Sequence, residues 1–256
     1  MSFLKAAYER LLDDETRKRI FKWRHPEHFQ RMREQVNPSD KGDFSLKPFD
    51  EHECIFVHIT KSAGTSVALA LFDHLPYHHT ARDYRVIYGK DTFNRYFKFA
   101  FVRNPWDRLY SAYSYLRGGG WDDYDQAWAE EHLSRFNSFE EFVLTAFSSK
   151  WLEKHLHFKT QIDFIGDRQQ APMIDHLMYF ETLTSDFNDL AQKLALEARL
   201  EHRNPSARAG YREVYTPEMM AVVERVYQDD IRTFGYGFDG IVRRTQIVNG
   251  AWTQDD

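Results

Sequence analysis

The sequence predicts an α/β fold, a single domain in which a central parallel sheet is flanked by helices. A short apolar run at residues 54–59 is followed by small polar residues and then by a helical pattern at 67–75. The same order recurs at 97–116, and further strand and helix patterns alternate after it. Strands that alternate with helices form parallel sheets, whose ligands bind at the carboxyl ends of the strands.

The composition excludes several classes of protein. The 256 residues carry 34 Lys and Arg against 39 Asp and Glu, so the net charge is −5, which disfavours nucleic-acid binding and requires any anion site to be local. A single cysteine, Cys54, cannot form an intramolecular disulfide. No apolar run approaches the roughly 20 residues that span a bilayer. We therefore expect a cytoplasmic protein without a membrane span.

Three segments are expected along the chain. Residues 1–50 form an amphipathic helical extension and a linker rich in Pro, Ser, Asp and Gly, residues 51–240 form the α/β domain, and residues 241–256 form a carboxyl-terminal tail. Basic residues at 17–24 could rest on a membrane, which leaves a peripheral location open, but the neighbouring acidic residues favour a solvated face. The amino-terminal helices are also the candidate surface for a homodimer.

The elements of the α/β domain have start and stop signals. Asn104 is a helix cap and Pro105 suits the first helical position, so a helix runs from there to Leu116, before three glycines. Further helices are predicted at 139–147, at 151–157 and, behind a Ser185 cap, at 186–199, with a strand at 176–180. A last long helix is expected between Thr216 and Gly235.

The segment 60–66 has the features of a P-loop-like phosphate-binding loop. It lies where a strand leads into a helix, and there the helix dipole and exposed N–H groups attract anions. Gly64 can adopt conformations forbidden to other residues, Thr65 and Ser66 supply hydroxyl groups, and Lys61 supplies a positive charge. Lys61 precedes the glycine, unlike in G-x-x-x-x-G-K-[ST], so a plain strand-to-helix turn is an open alternative.

A second anion site is predicted at the end of the next strand. Arg103 can present a planar fork to a phosphate, and Ser111 lies two helical turns beyond Asn104 on the same face. Asp107 and Arg108 have a structural interpretation, in which the first suits the helix start and the pair stabilises the turn. Two anion sites at two strand ends indicate a ligand with two separated phosphates, such as a phosphorylated adenosine.

The motifs KSAGTS at 61–66 and FAFVRNPWDRLYSAY at 99–113 together resemble sulfotransferases that use 3′-phosphoadenosine 5′-phosphosulfate, most closely the carbohydrate sulfotransferase branch and its bacterial relatives. The stretches at 161–167, 179–183, 203–216 and 227–238 also look like that family, so the resemblance runs from about 54 to 238. It implies a single α/β domain with a parallel sheet, and sulfuryl transfer without a metal.

The resemblance also implies roles for particular residues. The 5′-phosphosulfate would be held by Lys61, Ser62, Ala63, Gly64, Thr65 and Ser66, and the 3′-phosphate by Arg103 and Ser111. A loop around Ser206, Arg208 and Tyr211 would close over the nucleotide. Many relatives have Thr where Ser62 stands, which is a mild departure.

The reaction needs a group that removes the acceptor's proton, and histidine titrates in the right range. His78 and His79 lie between the two phosphate motifs, and family position makes His78 the first choice and His79 the second. A surface or hydrogen-bonded core histidine is the alternative for either residue. Lys61 is suited to stabilise the leaving phosphate.

Two other groups of residues have spacings or compositions that occur in functional sites. The spacings of His25 with His28 and of His155 with His157 occur in metal sites, but no cysteine or carboxylate set completes them, so no metal is expected. The segment 121–128, rich in Trp, Tyr and Asp, either lines an acceptor cleft or is a packed surface insertion.

The leading hypothesis is therefore a sulfotransferase that moves a sulfuryl group to a hydroxyl, with a carbohydrate as the expected acceptor. One alternative is a P-loop-type nucleotide-dependent kinase, which the placement of Lys61 disfavours. The other is an inactive nucleotide- or polysaccharide-binding relative, which the presence of Lys61, Arg103 and Ser111 disfavours.

Overall fold

A three-stranded parallel sheet forms the centre of the molecule. The computed structural model describes residues 12–27, 29–30, 44–200 and 210–255. Within them the sheet has the order β1 (Cys54–Phe56), β2 (Phe97–Val102) and β3 (His176–Tyr179). Cys54 pairs with Phe97, and Phe99 pairs with His176. The predicted α/β fold with a central parallel sheet is confirmed.

Helices surround this sheet on the part of the chain that is described. Before β2 they are α1 (Asp14–Arg24), α2 (Lys47–Glu51), α3 (Gly64–Phe72), α4 (Ala81–Tyr88) and α5 (Lys90–Arg95). After β2 they are α6 (Pro105–Arg117), α7 (Asp123–His132), α8 (Phe139–Thr145), α9 (Gln161–Ile165), α10 (Leu183–Lys193), α11 (Tyr211–Val214), α12 (Pro217–Val226) and α13 (Gln228–Phe234). None of the described helices is long and apolar enough to cross a membrane.

The two predicted strand, loop and helix units are present. The side chain of Asn104 accepts hydrogen bonds from the backbone N–H groups of Trp106 and Asp107, at 3.1 Å and 3.5 Å, and thereby caps α6 as predicted. In the first unit β1 ends at Phe56, although residues 57–59 remain buried. Helix α3 ends at Phe72 because Asp73 takes a left-handed conformation with φ of 55°.

Three predicted helices differ from the structure. Residues 151–157 form turns after a single 3₁₀ turn at Ser149–Trp151. Helix α10 begins at Leu183, and Ser185 is no cap because its hydroxyl donates to the Thr182 carbonyl. The last long helix is divided between α12 and α13 at Tyr227, whose buried hydroxyl donates to the Phe158 carbonyl at 2.8 Å.

The carboxyl-terminal segment predicted as a tail contains strands. Strands β4 (Tyr236–Gly237) and β5 (Gly240–Ile241) pair, and β6 (Thr245–Val248) pairs with β7 (Ala251–Gln254). Asn249 and Gly250 both have positive φ, at 52° and 75°, as a type I′ hairpin turn requires. The hairpin is attached to the domain, because the Thr245 N–H donates to the Tyr179 hydroxyl at 2.7 Å.

The hydrophobic core has two parts. One surrounds the sheet, and the other lies among α6, α7, α8 and α12. Helix α1 packs on α4, where Lys18 donates to the Tyr88 carbonyl at 3.0 Å. The rest of the predicted amino-terminal helices falls outside the described residues, so the extension is described only over α1.

Candidate active site

A cavity of about 680 Å³ opens at the carboxyl ends of the three parallel strands. Residues that follow β1, β2 and β3 line it, together with residues of α6 and of the segment 121–125. The phosphate loop contributes Thr60, Lys61, Ala63, Gly64, Thr65 and Ser66. Arg103 follows β2, and Ser111 and Tyr115 belong to α6. Both predicted anion sites therefore border one cavity, as expected for a sheet of this type.

The phosphate loop curls through two left-handed residues. Lys61 has φ of 64° and Ala63 has φ of 63°, whereas Gly64 lies in the first turn of α3 without a positive φ. Alternating conformations of this kind turn backbone N–H groups to one concave side, which suits an anion. The expectation that Gly64 supplies the special conformation is wrong.

A glycine is needed at position 64 because another side chain occupies the space where a Cβ atom would lie. A Cβ atom added to it would overlap the imidazole ring of His58. His58 is 5% exposed and its ring lies 4.2 Å from the ring of His78, so it has little freedom to move. The glycine thus allows a buried histidine to pack directly against the start of α3.

Arg103 joins the two phosphate motifs. Its Nε and Nη2 atoms donate to Asp107 Oδ2 at 2.8 Å and 2.7 Å, and its Nη1 donates to the carbonyl of Lys61 at 2.9 Å. The guanidinium carbon lies 4.0 Å from the centre of the Phe180 ring. Asp107 therefore pairs with Arg103 and not with Arg108, which corrects the predicted turn pair.

Arg108 supports the backbone of the phosphate loop through hydrogen bonds. It is 1% exposed and donates to the carbonyls of Thr60 and Lys159 at 2.9 Å and 2.8 Å. Burial lowers the pKa of its guanidinium from the usual value. Its role is to stabilise the backbone under the cavity.

Gln161 fixes the position of the strand end behind the cavity. Its amide oxygen accepts from the Arg103 N–H at 2.8 Å and from the Ser62 hydroxyl at 3.4 Å, and its amide nitrogen donates to the Arg103 carbonyl at 2.9 Å. The buried Asp230 accepts from the Gln161 N–H at 2.7 Å. Burial raises the pKa of Asp230 to about 6. This network holds Arg103 and Ser62 in fixed positions.

His78 lines the cavity, and His79 is not among the lining residues. His78 Nδ1 lies 3.1 Å from the carbonyl of His58, and because a carbonyl only accepts, Nδ1 carries the proton and Nε2 is free to accept one. Burial lowers the pKa of His78, against the opposing effects of that hydrogen bond and of Asp125. The ring of His79 packs against Tyr77 and Tyr84 at 5.5 Å from each.

Asp125 and His157 line the cavity and form a buried cluster with His155. Their ligand atoms lie within 4.8 Å of one another, so these residues could hold a metal ion, and the expectation that no carboxylate completes the histidine pair is wrong. The Nδ1 atom of His155 accepts from the N–H of His157 at 3.3 Å, so the proton of the neutral His155 ring is on Nε2, which lies 3.3 Å from Asp125 Oδ1 without forming a hydrogen bond to it. In this tautomer neither nitrogen of His155 is available as a metal ligand.

The cluster is electrostatically asymmetric. Burial lowers the pKa of His157 to about 3, so its ring is neutral near pH 7. Burial opposes ionisation of Asp125, but contacts from His157 and Tyr115 outweigh it and hold the pKa of this carboxyl below its usual value. Asp125 therefore carries a negative charge in the cavity that Lys61 and Arg103 also line.

The mouth of the cavity is aromatic and acidic. Trp121, Asp122 and Tyr124 line it, and the two aromatic side chains are 68% and 64% exposed. Trp128, by contrast, is buried in the second part of the core. The segment 121–128 is thus part cavity wall and part packed helix.

Several predicted site residues lie elsewhere. The Ser62 hydroxyl is turned to Gln161, and Ser62 is not among the residues lining the cavity. Tyr211 donates to the Phe238 carbonyl and is also absent from the lining, while Ser206 and Arg208 lie outside the described residues.

Two lining residues, His58 and Tyr115, were missed by sequence reasoning. Tyr115 had a usable signal, because it lies four residues after Ser111 on the same helical face. Asp125 and His157 also line the cavity; the first lies in the segment 121–128 expected as a possible cleft wall, and the second was noted only as one of a histidine pair.

The fold and the cavity define an α/β protein with two cationic side chains, Lys61 and Arg103, beside one cavity at its strand ends. Comparison with known proteins matches residues 46–237 to the Sulfotransferase family, and the chain belongs to that family. An uncharacterized protein of Archaeoglobus fulgidus is 31% identical over 128 residues, which cover 49% of this chain and 91% of that protein. No solved structure matches the chain.

Proposed function

We propose that the protein transfers a sulfuryl group from 3′-phosphoadenosine 5′-phosphosulfate to a hydroxyl of a carbohydrate, without a metal. One observation carries the proposal. Two cationic side chains from two strand ends, Lys61 and Arg103, border the same cavity as a half-buried histidine, His78, that is neutral and able to accept a proton. Family membership supports the general reaction and this donor.

The donor is held at both phosphates. The loop 61–66 takes the 5′-phosphosulfate, and Arg103 with Ser111 takes the 3′-phosphate. The left-handed turns of the loop and its position at the start of α3 support the first assignment. The shared cavity wall supports the second. That the loop carrying Ser206, Arg208 and Tyr211 closes over the nucleotide stays a prediction.

His78 acts as the base. The acceptor oxygen attacks sulfur, the bond from sulfur to the bridging phosphate oxygen breaks, and the hydroxyl proton passes to His78 Nε2. Lys61 stabilises the charge that develops on the leaving phosphate, which departs as adenosine 3′,5′-bisphosphate. The lowered pKa of His78 supports this role, because the ring is then unprotonated at neutral pH.

The acceptor enters past the aromatic mouth. Trp121 and Tyr124 offer exposed flat faces, and sugars stack on such faces while their hydroxyls donate to carboxylates such as Asp122. The mouth lies on the same cavity as the donor loop, so a sugar bound there faces the phosphosulfate.

The test is transfer of radiolabelled sulfate from the donor to a panel of oligosaccharides. The His78→Ala variant should turn over roughly 10²- to 10⁴-fold more slowly, while its affinity for adenosine 3′,5′-bisphosphate changes less than about threefold. His79→Ala is the matched control and should retain nearly full turnover. Undiminished turnover in His78→Ala removes that residue from the mechanism, and no transfer to any sugar hydroxyl overturns the acceptor class.

A further inference from the structure

Lys61 lies directly over the ring of Tyr115. Its Nζ atom is 3.7 Å from the ring centre, close enough for a strong cation–π contact. Both residues line the cavity, Lys61 from the phosphate loop and Tyr115 from α6. The ammonium group proposed to stabilise the leaving phosphate therefore has a defined place at the cavity wall.

The Tyr115 ring is itself fixed from two sides. Its hydroxyl donates to Asp125 Oδ2 at 2.8 Å, and its ring meets that of His157 edge-on at 4.9 Å. Burial and the bond to Asp125 raise the pKa of this hydroxyl well above its usual value, so the donor proton stays in place. A phenol that donates to a carboxylate has an electron-richer ring, which attracts a cation more strongly.

We infer that Tyr115 is a positioning residue for Lys61. Its ring holds the ammonium at the cavity wall until the donor binds, and it limits the orientations from which Lys61 reaches the bridging oxygen. A lysine side chain has many rotamers, so without this contact fewer encounters have the productive geometry. This inference rests on the proposed function, because it concerns the same site.

The contact predicts a measurable protection of the Lys61 amine. The ring covers one side of the amine and so restricts the approach of acylating reagents. In Tyr115→Leu, acylation of Lys61 by acetic anhydride at pH 8 should be about 3- to 10-fold faster, measured by peptide mass spectrometry against the exposed Lys47. Tyr115→Phe keeps the ring and should stay within about twofold of the wild type.

Tyr110→Leu is the matched control, because Tyr110 is on the same helix but packs on Phe139. In this variant Lys61 should be acylated at the wild-type rate. In turnover assays Tyr115→Leu should lower kcat about tenfold and leave KM for the donor within about threefold. Tyr115→Phe should restore most of kcat, which a merely structural defect does not predict.

The outcomes separate this inference from the proposed function. An unchanged Lys61 acylation rate in Tyr115→Leu overturns the inference. Failure of adenosine 3′,5′-bisphosphate to slow Lys61 acylation in the wild-type protein overturns the donor site and leaves the Tyr115 contact standing. If Tyr115→Leu does not fold, the contact is tested from the other side, by measuring the rate of nitration of Tyr115 in Lys61→Met. Threefold faster nitration than in the wild type supports the contact, and equal nitration overturns it.

Discussion

Replacing Gly64 by alanine tests the packing at the base of the phosphate loop. In a helix, Gly→Ala with open space around it stabilises a protein by about 0.5–1 kcal/mol. At Gly64 the new methyl group would overlap the His58 ring, whose burial against His78 prevents a simple rotation. Overpacking of this kind costs about 1–3 kcal/mol, so we expect Gly64→Ala to lower the free energy of unfolding.

The assay is urea denaturation of four proteins, namely the wild type, Gly64→Ala, His58→Ala and the double variant. His58→Ala removes the ring that blocks the methyl group, so adding Gly64→Ala in that background should raise stability or leave it unchanged. The sign of the Gly64→Ala effect should thus reverse between the two backgrounds. A stabilising or neutral Gly64→Ala in the wild-type background contradicts the reasoning, because His58 would then not occupy the space.

Three further predictions concern stability, each checked by urea denaturation. Between pH 7 and pH 5 the wild type should lose about 2 kcal/mol more than His157→Gln, because the buried ring has a pKa of about 3 when folded and about 6.5 when unfolded. Stability is lost as the pH falls below the pKa of the unfolded state, because the unfolded chain then binds a proton that the folded protein does not. An equal dependence of the unfolding free energy on pH in the two proteins would refute this.

Arg108→Leu should cost roughly 3 kcal/mol because two buried carbonyls lose their donor, and a loss below about 1 kcal/mol contradicts the bracing role. Thr216→Ala should cost about 1 kcal/mol because its hydroxyl caps α12, whereas Thr216→Ser should not.

Much of the fold was predictable because its signals are local. The apolar run of β2, the Asn104 cap and the Thr216 cap depend on neighbouring residues, and each holds in the structure. The division of the last helix at Tyr227 was not predictable, because it coincides with a hydrogen bond to Phe158, which is distant in the sequence. The turn at Asn249 and Gly250 is also a local signal, because Asn-Gly is typical of a two-residue hairpin turn.

In the candidate site, too, residues with local sequence signals were predictable and residues placed by tertiary packing were not. Lys61, Arg103 and Ser111 could be found because each follows a strand end in a recognisable motif. Asp125 and His157 lie in a segment and a histidine pair that the sequence singles out, but only tertiary packing brings the two side chains together at the cavity. The partner of Asp107 could not be predicted either, because Arg103 and Arg108 are both close to it in the sequence. Only the directions of the side chains show that Arg103 pairs with Asp107 while Arg108 donates to the Thr60 carbonyl.

The most direct measurement is calorimetric binding of adenosine 3′,5′-bisphosphate in metal-free buffer, with magnesium ATP as the comparison. We expect the bisphosphate to bind more tightly than ATP. The affinity should fall about tenfold or more in Ser111→Ala, because a hydrogen bond to a charged group is lost, and further in Arg103→Lys. Preference for magnesium ATP, or an affinity that Ser111→Ala leaves unchanged, would contradict the proposed donor site and favour a kinase.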